Sequence, residues 1–593
     1  MNEGSEPAPG RVGVRLRRRR QWLLIACPAL TIVAIGWLAV TALIARADLA
    51  HARGDLVAMR TAVHGADMSD TRQRAVDLRS RLGRAHLLTR GPVWRGVAAI
   101  PVAGAPFRSV RGMTSALDTV GDRGVPALIA VADQLDPKTL RDPQGRIAVN
   151  RVSTAVPDLA RAGAALDDAV ARVSALPRHT WLSTVDSARE LLLRQLSPAI
   201  GDLRAAQQAA DLVPALLAED KSYLLSFQNN AEARPTGGMP GAFALARVHD
   251  GRITLDRFAG EGSLSGITAK VQFGPDYDAL YPQQVTQRIY QDANLSPHFP
   301  YGAAILASMW QQRFGEKVDG VIALDPVVLS YLLRATGPVL LPDGSTATAD
   351  NIVALTEEQV YAKFPGPANN GRRDYLARVE QAVSTRIMSS DANPGELMRG
   401  LRRSIDERRL LIWSADTALQ RRLERTPVSG AIPITRAPYV GVSIVNEAGN
   451  KLDYYLDRTI RWQRSGCGVQ RSVTVSITLT NNVPTGLSGY VTNRSDPHAY
   501  PVRPGDNRLT VSYFATSGAV MQSVRLDGKP WVAGIGTQRG HPVFVVDVEL
   551  SRGSTRTMIL HLIEPATGNR QPVVLYQPLV RPMAVHLQDT RCP

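Results

Sequence analysis

The residues best suited to chemistry lie in "SFQNNAEARPTGGMPGAFALARV", residues 226–248. Asn229, Asn230, Glu232 and Arg234 crowd together ahead of Gly237 and Gly238. Arginine donates in a planar fork that matches phosphate or carboxylate. Successive glycine N–H groups can form a concave nest for the same anion. A carboxylate beside a bound anion can hold a hard cation, so Glu232 is the candidate ligand for Mg²⁺. The pattern therefore reads as an anion site at Asn230, Arg234, Gly237 and Gly238. A second reading stays open: Glu232 and Arg234 pair, Asn230 caps a turn, and the glycines permit positive φ.

Other reaction classes lack their residues. The chain has no nucleophile elbow, phosphate-binding Walker loop, HExxH or zinc-type cysteine spacing. His298, in "NLSPHFP", reads as a turn residue. Arginine outnumbers lysine throughout, as in a GC-rich genome. The net charge of +16 is spread out apart from six arginines between Arg11 and Arg20. Aromatic interleaving of the kind that grips single strands is missing, so nucleic acid is not expected as a partner.

The elements that position these residues follow from the apolar pattern. "RVGVRLRRRR" precedes an uncharged stretch from Trp22 to Ala45, long enough to cross a bilayer. The arginines put residues 1–20 in the cytoplasm and all beyond residue 46 outside. The expected location is the cell membrane, spanned once by an anchor at 21–45. A cleaved signal peptide is the rival reading, since "LIARA" offers small residues. Of the three cysteines, Cys27 falls inside the span. Cys467 and Cys592 lie outside it and read as a disulfide.

Residues 46–215 carry helical spacing, as in Leu159, Ala162, Leu166, Val170 and Val173, cut by Pro- and Gly-rich breaks. This predicts a helical stalk or bundle. From 216 to 425 strands and helices alternate. "VHDGRI" reads as an Asp-Gly hairpin, Asp325 as an N-cap ahead of Pro326, and Gly315 and Gly337 as helix stops. That is a layered α/β domain. From 436 to 593 runs such as "RSVTVSITLTNNVP" alternate with period two. They predict an all-β immunoglobulin-like sandwich.

Three stretches carry a resemblance: the turn with its hairpin, "LSPHFPYGAAILASMWQQRFGEKVDGVIALDPVVLSYLLRATGPVLL", and "RRDYLARVEQAV". Across 215–425 the chain resembles a bacterial membrane-anchored family known as domain of unknown function 4012, a name that implies no activity. The order of motifs is also similar to the LytR-CpsA-Psr envelope phosphotransferases. These move glycopolymers from polyprenyl-pyrophosphate lipids onto peptidoglycan. In that family arginines grip the pyrophosphate and acids hold Mg²⁺.

The likeness maps onto Glu232 and Arg234, and onto Asp374, Arg378 and Gln381 with Arg372 and Arg373 alongside. The family's second acid has no counterpart, since "GGMPGAFAL" has no carboxylate. The resemblance implies a protein that binds, and in one version transfers, an anionic polyprenyl-linked glycopolymer of the cell envelope. It leaves turnover open. The alternative is a non-catalytic scaffold whose partners are envelope assembly proteins of polysaccharide export or wall building. On the binding reading Arg234→Ala abolishes ligand binding and leaves the melting temperature nearly unchanged.

Overall fold

The computed structural model describes residues 32–52, 68–136, 146–217, 219–366, 370–389 and 392–590, together with Gly54, Leu140, Asp142 and Cys592. The basic tail at 1–20, the first half of the predicted anchor and Cys27 lie outside these. The chain divides into two compact units. One holds Met1–Leu140 and Asn150–Val213, the other Arg141–Val149 and Pro214–Pro593.

The first unit is helical. Its first described helix, Ile32–Ala52, is apolar and long enough to cross a membrane. A span and a signal sequence share that signature. The helix does not stop at residue 45. Ala45, Asp48 and Ala52 are buried, and Ala52 joins Ala75, Leu78 and Leu82 in a small core. Thr41 accepts a hydrogen bond from Trp94 Nε1 at 2.9 Å. Helices Met68–Thr89, Ala105–Thr119, Val149–Ser174 and Ser183–Leu217 supply most of the rest. In Val149–Ser174, Leu159, Ala162, Leu166 and Val173 are buried as the spacing predicts, whereas Val170 is half-buried and Ala169 is buried beside it.

The second unit begins with a mixed five-stranded sheet. Its strands are β1 (Lys221–Arg234), β2 (Gly237–His249), β3 (Arg252–Ala259), β4 (Gly320–Leu324) and, after a small ribbon of β5 (Val339–Leu340) and β6 (Thr346–Ala347), β7 (Leu411–Ser414). The order is β3-β2-β1-β4-β7. β1 runs parallel to β4; the other neighbours are antiparallel. Helices cover it: Phe299–Phe314 packs in a core with Phe243 and Leu245, and Pro326–Thr336 in another with Phe227 and Ala244.

Local signals act as read. Asp250 and Gly251 take φ of 48° and 72°, the geometry of a type I′ hairpin. Asp325 accepts from Val328 N–H at 3.0 Å ahead of Pro326. Gly315 ends its helix in the left-handed region, and Gly337 also has positive φ.

The remaining strands are β8 (Tyr439–Asn446), β9 (Leu456–Ser465), β10 (Gln470–Asn481), β11 (Asn507–Phe514), β12 (Val520–Leu526), β13 (Lys529–Pro530), β14 (Gly534–Gln538), β15 (His541–Leu550), β16 (Thr555–Pro565), β17 (Val573–Leu575) and β18 (Met583–Asp589). They form two sheets, β13-β12-β16-β10-β9-β18 and β14-β15-β11-β8-β17. Val473, Val475, Ile477 and Leu479 face one shared core with Val511, Val546 and Trp462. Cys467 and Cys592 are bonded, Cα atoms 5.5 Å apart. The α/β and β regions share apolar contacts: Leu452, Tyr455, Val483 and Val491 complete the core beneath Pro326–Thr336.

Candidate functional site

The polar stretch around Arg234 is strand rather than turn. β1 continues through Arg234, and only Pro235 and Thr236 turn the chain. The polar residues are accommodated because pairing with β2 slips between Asn229 and Ala233. That irregularity frees backbone N–H groups, which must find other acceptors. Asn230 and Ala231 donate to the two oxygens of Glu357 at 3.1 and 2.7 Å. Ala233 donates to Asp453 at 2.7 Å.

Gly238 fits here because a Cβ would stand 2.1 Å from the Asn229 carbonyl oxygen. Its N–H is turned toward Gln228 Oε1 at 3.4 Å. Gly237 has φ of 136°, where a side chain would be strained. The Asn230 side chain donates to the Pro578 carbonyl at 3.3 Å.

Arg234 is buried and fully engaged. Nε and Nη2 both reach Asp292 Oδ1, at 3.1 and 2.8 Å. Nη2 also meets Glu232 at 3.1 Å, and Nη1 donates to the carbonyls of Ala233 and Asn446. The second oxygen of Glu232 is held by Lys451. Burial opposes ionising Glu232, but the charges of Lys451 and Arg234 outweigh it and hold the carboxyl below its ordinary value. Burial likewise opposes charge on Arg234, and Asp292 and Glu232 outweigh it. Both Glu232 oxygens are thus taken up by cations, where a metal would need them free. Among the described residues no three His, Cys, Asp or Glu side chains gather as a metal site.

Beside this closed network lies a small, partly enclosed cleft of about 60 Å³. β1 and β2 contribute Phe227, Asn229 and Met239, and the π-turn Leu355–Gln359 contributes Glu357. Helix Asn370–Ser389 presents Arg372, Arg373, Leu376 and Glu380. These positions recur at three-, four- and seven-residue spacing, so they share one face. Arg378, on another face, is exposed and does not line the cleft. Lys451 and Tyr490, from the β region, close the far wall.

The cleft's cations differ in commitment. Arg372 is 1% exposed, lies 3.9 Å above the Tyr490 ring and donates to the Gly366 carbonyl at 2.8 Å. Lys451 is committed to Glu232. Arg373 has a side chain 39% exposed, a loose 3.7 Å contact with Glu261 and a marginal 3.5 Å bond to Asn370.

Two carboxyls face these cations. Burial pushes Glu357 up to about 8 despite its two N–H donors. Burial, then the charge of Glu357, pushes Glu380 up to about 8 as well. Burial thus disfavours charge on both carboxyls; Lys451 is matched by Glu232, and Arg372 and Arg373 remain as the cleft's other cations, with Glu261 beside Arg373.

The structure therefore separates the residues singled out by sequence. Arg372 and Arg373 share the cleft; Asn230, Glu232, Arg234, Gly237 and Gly238 lie in the packed region beside it. Glu357, Glu380, Asp292 and Lys451 escaped the sequence reading. The repeat Arg372/Arg373, Leu376, Glu380 was the available signal for the helix face. Nothing local marked Lys451, which arrives from another region of the chain.

Residues 218–361 match the family model described as a protein of unknown function, DUF4012. The match stops short of the expected 425, so Arg372, Arg373, Arg378 and Glu380 lie beyond it. No curated protein and no solved structure matches the chain.

Proposed function

We propose that this is a single-pass, membrane-anchored protein of the cell envelope, N-terminus cytoplasmic and bulk outside, whose cleft binds the anionic part of an envelope glycolipid or glycopolymer. The observation that carries the reading is Arg373: a partly exposed, weakly engaged side chain on the wall of a cleft where burial disfavours charge on Glu357 and Glu380. A cation without a full set of partners next to a cavity is suited to an anion. The motif order similar to the LytR-CpsA-Psr phosphotransferases supports a polyprenyl-phosphate glycolipid as ligand class, and the apolar N-terminal helix supports the membrane setting. The β region is assigned to the immunoglobulin-like class of sandwich. Mg²⁺ would enter with the ligand's phosphate rather than at Glu232, whose oxygens are paired.

Titration of the purified full-length protein with inorganic pyrophosphate tests the anion reading. Binding is expected for the native protein, lost in Arg373→Ala with an unchanged melting temperature. No pyrophosphate binding in the native protein overturns it.

A scaffold is the second reading, favoured by the closed network of Glu232, Arg234, Asp292 and Lys451, which braces the sheet against the β region. Cross-linking in the host would then retrieve the same envelope partners from the native protein and from Arg373→Ala.

A further inference from the structure

Among the described cleft residues, two side chains hold enclosed polar atoms without a hydrogen-bond partner: Arg373 Nε, 3.7 Å from a Glu261 oxygen and beyond hydrogen-bond reach, and Glu380 Oε2. The neighbouring polar groups are committed. Asn229 Nδ2 donates to the Tyr361 hydroxyl at 2.5 Å, and Gln228 Nε2 to Thr236 at 3.1 Å. Enclosed polar atoms are costly when left unpaired, so both atoms are suited to a ligand's groups. They stand seven residues apart on one helix face, about 10 Å along the axis, and both side chains reach into the same cleft.

We propose that Glu380 selects the ligand, and that the ligand is a polyhydroxylated anion: a phosphorylated or carboxylated saccharide whose charged group meets Arg373 and one of whose hydroxyls meets Glu380 Oε2. This rests on the anion-binding reading above and deepens it by assigning the side chain that recognises the saccharide part. A hydroxyl both donates and accepts, so it satisfies a carboxyl in either protonation state. A bare phosphate at Arg373 leaves Glu380 unpaired. An anion with an apolar substituent leaves it unpaired in a dry pocket, which is worse. Glu380 acts here as a specificity residue and takes no part in bond making.

The test is calorimetric titration of the full-length protein in detergent with inorganic phosphate, glucose 1-phosphate, N-acetylglucosamine 1-phosphate and glucuronate. At least one saccharide anion is expected to bind about tenfold or more tighter than phosphate, the worth of one good hydrogen bond. Glu380→Leu should remove that preference while phosphate affinity stays. Glu380→Gln, whose amide can also pair with a hydroxyl, should keep the preference.

If no saccharide anion is preferred to phosphate, or if Glu380→Leu retains the preference, this proposal fails and the anion reading stands. Should Glu380→Leu not fold, Glu380→Ala takes its place, and an alanine variant that retains the preference overturns the proposal equally. If neither phosphate nor any saccharide anion binds, both readings fail.

Discussion

Arg234 and Asp292, 58 residues apart in sequence, are joined by two hydrogen bonds to a single carboxylate oxygen, at 3.1 and 2.8 Å. The pair lies beside Glu232 and Lys451, and three of these four side chains are buried. Coulombic attraction at such distances is strong, but so is the cost of removing the charges from water. The arrangement is a chain in which Arg234 bridges Asp292 and Glu232, and Glu232 bridges Arg234 and Lys451.

Truncation of Arg234 leaves Asp292 without its cation and Glu232 with Lys451 alone. Arg234→Ala should destabilise the second unit by about 3–5 kcal/mol, the usual cost of stranding a buried charge. Calorimetry should show its transition moving down by several degrees while the helical unit's transition stays. This reverses the expectation from sequence of a nearly unchanged melting temperature.

The two protonated carboxyls predict an unusual pH response. Folding raises Glu357 and Glu380 from an ordinary glutamate value to about 8. Between those values the folded state holds protons that the unfolded state has released. Stability is therefore fully present in acid and falls as pH rises from about 4.5 to 8, by at most about 1.4 kcal/mol per pH unit for each group. The two titrate as a coupled pair, so the observed steps belong to both. Chemical denaturation at pH 5, 6.5 and 8 should show the decline, and Glu380→Gln should make it shallower. Glu357→Gln is the poorer probe, because its amide would face the N–H groups of Asn230 and Ala231.

Arg372 and Arg373 are adjacent but should respond differently to lysine. Arg372 stacks on Tyr490 and donates to the carbonyls of Phe364 and Gly366 from one planar group. Lysine cannot keep both contacts. Arg372→Lys should cost about 1–3 kcal/mol, whereas Arg373→Lys, at a half-exposed site, should be close to neutral. Thermal melts of the two variants side by side check this.

The disulfide spans 125 residues and ties the chain just beyond β18 to the β9–β10 hairpin. A crosslink over a loop of that length restricts the unfolded chain by an entropy worth about 4–5 kcal/mol. Reduction, or Cys467→Ser with Cys592→Ser, should lower the stability of the β region by about 2–5 kcal/mol and release β18 first. Hydrogen exchange of 583–589 with and without reductant measures it.

Much of the fold was legible because its signals are local. Period-two alternation in 471–480 gave β10, the Asp250-Gly251 pair gave a hairpin, and Asp325-Pro326 gave a helix start. The site was only half legible. Arg372 and Arg373 were visible as a paired charge at a helix start. The stretch at Arg234 was misleading, since a run of Asn, Glu and Arg looks like a solvated turn. Those residues sit in a strand because the pairing slip and three distant carboxylates, Asp292, Glu357 and Asp453, satisfy them. Partners 58, 126 and 220 residues away leave no periodic trace in a sequence.

The central claim is that the cleft beside Arg373 carries an anionic envelope ligand. Native mass spectrometry of the full-length protein taken from its host membranes, with extraction of whatever co-purifies, tests it most directly. The account predicts a phosphorylated or acidic glycan species, lipid-linked or free, bound to the native protein and lost in Arg373→Ala, whose melting temperature is unchanged. A native protein that carries no such species across several detergents, or an Arg373→Ala variant that keeps it, would contradict the account.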